Sequence, residues 1–378
     1  MDAPHGPDPD PIPDPGIGPG PDSGPRQIPE GSPAATGAES RPTGPAGFGD
    51  FWRRTLAADV GRGDPSFVTV ESSLRSIVVE DVTFAGFGGH PVKGWMLTPA
   101  TGCPRGTVIQ FLGNNTGRGL PEQWTLLPSA GYATFVMDNR GQTGPASVGD
   151  TPDPVGSGPQ IIGRMTSGIA HPEEYYYRRL FTDAVCAVRA VRHHAAAGTA
   201  TGTGTGTGTA ADSAMGTASG STVGPAPSAH RIFVAGGSQG GATALAVAGL
   251  CDDLAGVLVD VPLLCDIRSA VETATAGPYL EILDLLRTRR GNEDAVFEVL
   301  SFFDGKHFAS RARIPALFSV GLLDPVCPAG SVQAAFAAYA GAEKTLCTYP
   351  YDGHEHGQWQ HKRRHLEFLD HHTAGGTT

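Results

Sequence analysis

The chain of 378 residues lacks a long hydrophobic run, and it also lacks a long run of basic residues. A helix that crosses a bilayer needs about 20 consecutive apolar residues, and none of the apolar stretches approaches that length. No basic segment precedes an apolar one at the start, so we expect no secretory signal peptide. With a formal net charge of −11, the chain is a poor candidate for binding nucleic acid or an anionic membrane.

The cysteines lack the close spacing that marks zinc sites and redox motifs. They are scattered along the sequence as Cys103, Cys186, Cys251, Cys265, Cys327 and Cys347. Isolated thiols of this kind are typical of proteins that stay in a reducing compartment. We therefore expect a cytoplasmic protein whose cysteines hold no metal ion.

Two segments lack the residues that form a core. Residues 1–46 are mostly Pro, Gly, Asp, Ser and Ala, and residues 195–229 are mostly Ala, Gly, Thr and Ser with a Thr-Gly repeat. Such compositions cannot bury enough apolar surface to offset the entropy of ordering the chain. The sequence predicts a disordered tail over 1–46 and one folded domain over 47–373, with a linker-like insertion at 195–229.

Strand-like and helix-like patterns alternate through the rest of the chain. Short apolar runs predict strands at 76–84, 92–97, 107–112, 132–137, 232–235, 256–261, 315–320 and 344–349. Helical spacing predicts helices from Phe48, at 120–130, at 173–194, after residue 240, over most of 265–310, at 331–340 and up to about 372. This order predicts an α/β fold with a mostly parallel sheet covered on both faces. The helices of 265–310 would roof a pocket.

The stretch from Ile232 to Gly241 has the pattern of a nucleophile elbow. An apolar strand meets Gly236-Gly237-Ser238-Gln239-Gly240, and a helix of small residues follows. The turn of a Gly-x-Ser-x-Gly motif is so tight that its serine points outward from the end of the strand. The sequence therefore predicts Ser238 as a nucleophile.

A nucleophilic serine needs a base, and the base needs an acid that orients it. Asp324 and His354 each follow a predicted strand, in the chain order Ser, acid, His that this fold uses. Both would lie at the carboxyl edge of the sheet together with Ser238, and such a triad requires no metal or organic cofactor. His356 competes for the role of the base, but we rank it below His354. The segment His354-Glu355-His356 is not H-E-x-x-H, so we expect no zinc site there.

The developing oxyanion needs backbone donors near Ser238. The N–H of Gln239 is one, and the N–H of Asn114, in the loop after the strand at 107–112, is the best candidate for the second. Arg140 and Gln142 follow the next strand, where we expect them to brace the oxyanion loop. A direct contact of Arg140 with substrate is the alternative.

These residues resemble the acetyl xylan esterase and cephalosporin-C deacetylase family, carbohydrate esterase family 7. The resemblance covers about residues 48–372 without the insertion. It rests on Arg140-Gly141-Gln142, Gly236-Gly237-Ser238-Gln239-Gly240, Gly353-His354-Glu355, Gly149-Asp150-Thr151-Pro152-Asp153-Pro154, Met165-Thr166-Ser167-Gly168-Ile169, Tyr175-Tyr176-Tyr177-Arg178 and Phe302-Phe303-Asp304.

The resemblance implies an α/β-hydrolase fold and hydrolysis of acetyl esters on small molecules, namely acetylated xylo-oligosaccharides and cephalosporin C. It also implies a homo-oligomer, commonly a hexamer whose active sites face an interior chamber, and in some members perhydrolysis. The chain departs from the family at Leu112-Gly113-Asn114, where members often carry an aromatic triplet such as His-Gly-Tyr. This departure keeps the backbone donor but changes the wall of the pocket.

Two other functional classes remain open from the sequence. A peptidase or a dienelactone-type hydrolase can use the same fold and the same triad, and activity on acyl-peptides would distinguish it. A non-catalytic binding protein on a hydrolase scaffold is the third alternative, and Ser238 would then fail to react with a fluorophosphonate probe.

Overall fold

The computed structural model describes residues 44–58, 62–155, 163–201 and 231–374. Within these ranges nine strands form a single sheet in the order β1-β2-β3-β5-β4-β6-β7-β8-β9. The pairs β1–β2, β2–β3 and β3–β5 are antiparallel. The pairs β5–β4, β4–β6, β6–β7, β7–β8 and β8–β9 are parallel. The predicted α/β class, with a mostly parallel sheet, is confirmed.

The strands fall where the short apolar runs predict them. They are β1 Ser66–Thr69, β2 Ile77–Ala85, β3 Pro91–Pro99, β4 Thr107–Phe111, β5 Ala133–Met137, β6 Ile232–Gly237, β7 Gly256–Asp260, β8 Ala316–Gly321 and β9 Lys344–Tyr349. Strands β5, β7 and β8 are buried along their whole length, as expected for parallel strands covered on both faces. Strand β1 is mostly exposed at the edge of the sheet, and its short pattern was not predicted.

The helices cover both faces of the sheet. They are α1 Phe48–Ala58, α2 Leu126–Ser129, α3 Tyr176–Thr201, α4 Gln239–Leu250, α5 Ile267–Thr273, α6 Tyr279–Thr288, α7 Glu293–Ser301, α8 Gly305–Ala309, α9 Ala329–Ala338 and α10 Gln358–Ala374. The larger core cluster lies on the face of α3 and α4 and includes α1 and α5 to α9. The smaller cluster lies on the face of α2 and α10, where Leu127 and Leu369 pack against Phe233 and Leu258.

Helix α1 docks on the main domain through aromatic side chains. Phe51 lies against Phe302 with 5.1 Å between ring centroids, and the indole Nε1 of Trp52 donates to the carbonyl of Phe302 at 3.0 Å. Trp52 is 1% exposed. The amphipathic spacing from Phe48 therefore predicted the helix correctly, and the helix packs on the helical excursion that follows β7.

Two predicted helix boundaries are wrong. The segment 120–130 forms a 3₁₀ turn at Pro121–Trp124 and the single turn α2 rather than one helix. Pro128 has no N–H to donate to the carbonyl four residues earlier, so the helical hydrogen bonds are interrupted there. Helix α3 begins at Tyr176, later than predicted, and runs to Thr201, into the segment predicted as a linker. The run Ala195-Ala196-Ala197 favours this continuation because alanine is the strongest helix former.

Within the described ranges, no helix combines the length and the apolar character that crossing a membrane requires. Residues 1–43 of the predicted tail and residues 202–229 of the predicted insertion lie outside the described residues. The prediction of a disordered tail and a tolerated insertion therefore stays a prediction.

Candidate active site

Ser238 lies in the turn between β6 and α4 and has the backbone angles φ 56° and ψ −120°. This left-handed conformation is strained for a residue with a side chain. The turn closes because its flanks are glycines: a Cβ on Gly236 would lie 2.3 Å from the backbone of Gly240, and a Cβ on Gly240 would lie 2.2 Å from the carbonyl of Phe111. The N–H of Ser238 donates to the carbonyl of Asp260 at 2.9 Å. The predicted nucleophile therefore stands at the carboxyl edge of the sheet, at the N-terminus of α4.

Asp324 and His354 come together in the loops that follow β8 and β9. The Nδ1 atom of His354 lies 2.8 Å from Oδ2 of Asp324, whose side chain is fully buried, whereas that of His354 is 34% exposed. The other carboxylate oxygen of Asp324 accepts the N–H groups of Val326 and Cys327 at 2.8 and 2.9 Å. The acid is thus fixed by three hydrogen bonds, and the imidazole can hold its second nitrogen toward solvent and substrate.

Cys327 joins this pair to the serine, and sequence reasoning missed it. The Ser238 side chain is close enough to the Cys327 thiol to act on its pKa, which it lowers against the effect of burial. The sulfur of Cys327, one oxygen of Asp324 and one ring nitrogen of His354 lie within 4.8 Å of one another. Burial, followed by the charge of Asp324, raises the pKa of the thiol well above its ordinary value. Cys327 therefore stays a neutral thiol at the meeting point of the three predicted triad residues.

A cluster of three amides, from Asn139, Gln142 and Gln239, holds the loop after β4; we call it the amide cluster. The Nδ2 atom of Asn139 donates to the carbonyl of Gly113 at 3.0 Å, and Oε1 of Gln142 accepts the N–H of Asn115 at 2.7 Å. The Nε2 atom of Gln142 donates to Oε1 of Gln239 at 3.0 Å. The elbow and the loop that carries the candidate donor Asn114 are therefore linked through side chains. Gln142 thus contacts both the elbow and the loop after β4.

Arg140 takes a different place from the one predicted. Its side chain is fully buried, and it donates from Nε and Nη2 to the two carboxylate oxygens of Asp183 at 2.5 and 2.7 Å. Burial alone would lower the pKa of Arg140, but the charge and hydrogen bonds of Asp183 raise it above its ordinary value. A buried guanidinium cannot contact substrate. The carbonyl of Arg140 accepts from the Tyr176 hydroxyl at 2.8 Å, and that hydroxyl accepts from Gln142 of the amide cluster at 2.7 Å.

The three consecutive tyrosines around the start of α3 belong to the larger core cluster. Tyr175, Tyr176 and Tyr177 are fully buried. The hydroxyl of Tyr177 donates to Oε1 of Gln239 at 3.1 Å, so these rings pack the core and also hold the amide cluster. Burial raises the pKa of both Tyr176 and Tyr177 above the ordinary value, and the hydroxyls stay protonated.

The alternative base His356 lies apart from Asp324. Its Nδ1 atom is 3.3 Å from the hydroxyl of Ser319, and its ring centroid is 5.6 Å from that of His361 in α10. The carboxylate of Asp324 is bound by His354 instead. The geometry therefore supports His354 as the base, as the sequence ranking did.

The fold and the site together define an α/β-hydrolase. The sheet has a parallel centre, a strained serine follows the central strand β6, and an Asp–His pair follows β8 and β9. A sequence profile described as acetyl xylan esterase (AXE1) matches residues 37–220 and 222–372. The chain belongs to the acetyl xylan esterase family.

Solved structures and a curated relative agree with this assignment. An acetyl xylan esterase from Paenibacillus sp. R4 is 30% identical with a TM-score of 0.70, over 87% of this chain and 95% of that one. Acetyl xylan esterase 1 from Thermoanaerobacterium sp. JW/SL YS485 is 24% identical with a TM-score of 0.68, over 86% of this chain and 96% of that one. The acetyl esterase Axe7A of Xylanibacter ruminicola is 24% identical over 167 residues, which are 44% of this chain and 30% of that protein. The matched region thus spans under a third of this curated relative.

Proposed function

We propose that the protein is a serine esterase that removes acetyl groups from small acetylated sugars. Ser238 is the nucleophile, His354 is the general base, and Asp324 orients the imidazole. The observation that carries the proposal is the 2.8 Å bond between Asp324 and His354 beside a serine in a strained elbow. Membership of the acetyl xylan esterase family supports the class of reaction.

The reaction proceeds in two acyl transfers. His354 accepts the proton of the Ser238 hydroxyl while the oxygen attacks the acetyl carbonyl, and the tetrahedral intermediate collapses to an acetyl-enzyme. His354 returns the proton to the departing sugar oxygen. It then takes a proton from water as the water oxygen attacks the acetyl-enzyme, and it gives that proton to the Ser238 oxygen as the ester bond breaks. Acetic acid leaves and ionises to acetate, and Ser238 and His354 return to their starting states. Asp324 keeps the Nδ1–H tautomer of His354 in place throughout.

The oxyanion of each intermediate is stabilised by backbone N–H groups. The N–H of Gln239 begins α4, where unpaired donors and the helix dipole favour negative charge. The N–H of Asn114 is the proposed second donor, since the amide cluster holds the carbonyl and N–H of the residues on either side of it. Removal of one such donor typically costs about 3–4 kcal/mol of transition-state stabilisation.

The substrate range extends the proposal beyond the class of reaction. Acetylated xylose, short acetylated xylo-oligosaccharides and cephalosporin C are the proposed substrates, supported by the names of the similar proteins and by the motifs shared with their family. Asn114 stands where family members often carry an aromatic residue, and its Oδ1 atom is buried without a hydrogen-bond partner among the described residues. A panel of these esters and longer acyl esters measures the preference directly, and turnover of acyl-peptides alone would contradict the proposal.

The role of Ser238 is tested by Ser238→Ala. We expect the variant to fold normally and to lose nearly all turnover of p-nitrophenyl acetate and all labelling by a fluorophosphonate probe. Ser310→Ala is the matched control, because its hydroxyl only donates to the carbonyl of His307. Retained turnover in Ser238→Ala would refute the nucleophile.

We further propose a cytoplasmic homo-oligomer, a hexamer in the form that the family resemblance implies. Light scattering of the full chain in solution measures the mass of the assembly. A monomer at the concentrations used for turnover would contradict this part of the proposal and leave the chemistry of Ser238 untouched.

A further inference from the structure

A second group of polar side chains lies behind the elbow, on the face of α10. Oδ1 of Asp260, at the end of β7, lies 2.8 Å from Nε2 of His361 and 3.0 Å from Nε2 of His365. The three side chains are 2%, 0% and 5% exposed. Two imidazoles thus converge on one buried carboxylate, and the proposed ester chemistry uses none of them.

His356 completes this group, which we call the histidine cluster (Asp260, His356, His361 and His365). One ligand atom each from Asp260, His356 and His361 lies within 4.8 Å of the others. His361 and His365 are four residues apart on α10 and therefore face the same side of the helix. The cluster draws on three elements: the end of β7, the loop after β9, and α10.

The imidazoles are oriented from outside the cluster, as metal-ligating histidines usually are. The Tyr349 hydroxyl lies 2.9 Å from Nδ1 of His361, which leaves Nε2 directed at Asp260. The Ser319 hydroxyl lies 3.3 Å from Nδ1 of His356 and 3.4 Å from Oδ1 of Asp260. The Tyr349 hydroxyl leaves Nε2 of His361 directed at Asp260, and the Ser319 hydroxyl links His356 to the same carboxylate oxygen.

We propose that the histidine cluster is a zinc site, with Asp260, His356 and His361 as ligands. The absence of H-E-x-x-H at His354-Glu355-His356 led us to expect no zinc site there, but these ligands come from three separate elements, which no local motif encodes. Imidazole and carboxylate donors suit Zn²⁺, and four donors at bonds of about 2.0–2.1 Å around a tetrahedral ion stand roughly 3.3 Å apart. The distance of 2.8 Å from Asp260 Oδ1 to Nε2 of His361 is close to that spacing, and the ligand atom of His356 lies within 4.8 Å of both residues.

An entry path reaches the cluster from one side. A cavity of about 360 Å³ is lined by His365 and Lys362 together with Trp124, Trp359 and Gln358. The Lys362 ammonium lies 3.4 Å from Oδ2 of Asp260, and the side chain is 38% exposed. Because its stem is long and reaches solvent, Lys362 can move its charge into water when a cation enters.

The proposed site borders the elbow but is distinct from the reacting atoms. The carbonyl of Asp260 accepts the N–H of Ser238 at 2.9 Å, whereas its carboxylate points to α10. A bound ion would tie β7 to α10 and stabilise the folded chain, since the site exists only when these elements are packed. The zinc site is independent of the proposed esterase function, which the metal-free chain tests separately.

The test uses the full chain, freed of metal by a chelator, and zinc chloride as the probe. We expect calorimetry to give about one tightly bound zinc per chain and the melting temperature to rise until one equivalent is added. Cobalt(II) in the same site should give the strong visible absorption of a tetrahedral ion and no thiolate charge-transfer band. A chain that binds no zinc, or cobalt with a thiolate band, overturns the proposal.

Variants on two elements locate the ion. His361→Gln in α10 and His356→Gln in the loop should each weaken zinc binding by at least about tenfold, with folding checked by circular dichroism. Two matched controls address the other groups of possible donors: His372→Gln for Glu343, His371 and His372, and Cys327→Ser for Asp324, Cys327 and His354. Zinc affinity should be unchanged in both controls. Loss of zinc in either control, or full retention in both cluster variants, overturns the assignment.

Discussion

The Asp324–His354 pair and the amide cluster both serve Ser238, and they are held in different ways. Asp324 is fixed by N–H groups two and three residues further along its own loop, so its position follows from the end of β8. The amide cluster joins residues that are far apart in sequence, with 97 positions between Gln142 and Gln239. One part of the active centre is local, and the other depends on tertiary packing.

The catalytic chemistry of the Asp324–His354 pair and the positioning role of the amide cluster can therefore be separated by substitution. A change in the pair should remove turnover and leave stability nearly intact. A change in the amide cluster should shift the oxyanion loop, whereas a change in the buried pair behind it, Arg140 and Asp183, should alter stability. The following substitutions test this separation, from the largest expected effect to the smallest.

Asp324→Asn should have the largest effect, on turnover alone. The amide keeps an acceptor for the backbone N–H groups but no longer holds the His354 tautomer that accepts a proton from serine. We expect kcat to fall by about 10⁴-fold, as in other triads, which corresponds to about 5 kcal/mol. Steady-state kinetics with p-nitrophenyl acetate measure the loss, and a denaturant titration should show a stability within about 1 kcal/mol of the parent. A fall below tenfold would remove Asp324 from the proposed triad.

This prediction rests on the part of the site that the sequence could foresee. Parallel strands end at one edge of the sheet, so Ser238, Asp324 and His354 could be placed there from their positions after predicted strands. Cys327 could not be placed, although it follows Asp324 by three residues, because a single cysteine in a loop carries no geometric signal.

The supports behind the site were harder to foresee. The motif Arg140-Gly141-Gln142 indicated a brace, but only side-chain packing shows that Gln142 faces the oxyanion loop and Arg140 faces Asp183. Adjacent loop residues point in directions that no periodicity encodes. The prediction of one helix over 120–130 was wrong for a local reason. Pro128 has no N–H for the helical hydrogen bond, and this proline is visible in the sequence.

Asp183→Asn should have the largest effect on stability. The amide leaves the buried guanidinium of Arg140 with only the carboxylate of Asp153, at 3.4 Å, as an anionic partner among the described residues. Breaking a buried ion pair on one side costs about 3–5 kcal/mol. Denaturant titration measures the change. The double variant Arg140→Met with Asp183→Leu removes both charges, and it should recover most of the loss.

The kcat of Asp183→Asn tests whether the buried pair affects turnover as well as stability. The guanidinium of Arg140 is turned to Asp183, and the hydrogen bonds to Gln142 run through the Arg140 carbonyl and Tyr176. We therefore expect kcat per folded molecule to stay within about threefold of the parent, and a loss like that of Asp324→Asn would contradict the separation.

Gln142→Leu should have an intermediate effect on turnover. It keeps the volume but removes the acceptor for Asn115 and the donor to Gln239. We expect kcat to fall by about 10–100-fold, or about 1–3 kcal/mol, with KM little changed, because the oxyanion donor is misplaced mainly in the transition state. Tyr176→Phe is the matched control, since its hydroxyl touches Gln142 but not the loop, and it should lose less than about fivefold. Equal losses in kcat for the two variants would show that Gln142 acts through the core instead.

Arg105→Met should have the smallest effect. It measures the cost of breaking an exposed ion pair, for comparison with the buried pair Arg140–Asp183. Arg105 binds Asp370 at 2.5 Å, the same distance that joins Arg140 to Asp183, but its side chain is 42% exposed and that of Asp370 is 53% exposed. Water and salt screen an exposed pair, so the free energy of unfolding should fall by about 1 kcal/mol or less, and the difference should vanish in concentrated salt. The substitution also removes the guanidinium that lies 5.0 Å from the centre of the Tyr132 ring, so the expected loss includes that contact. A loss comparable to that of Asp183→Asn would show that the distance between the charges, rather than their burial, sets the cost of breaking them.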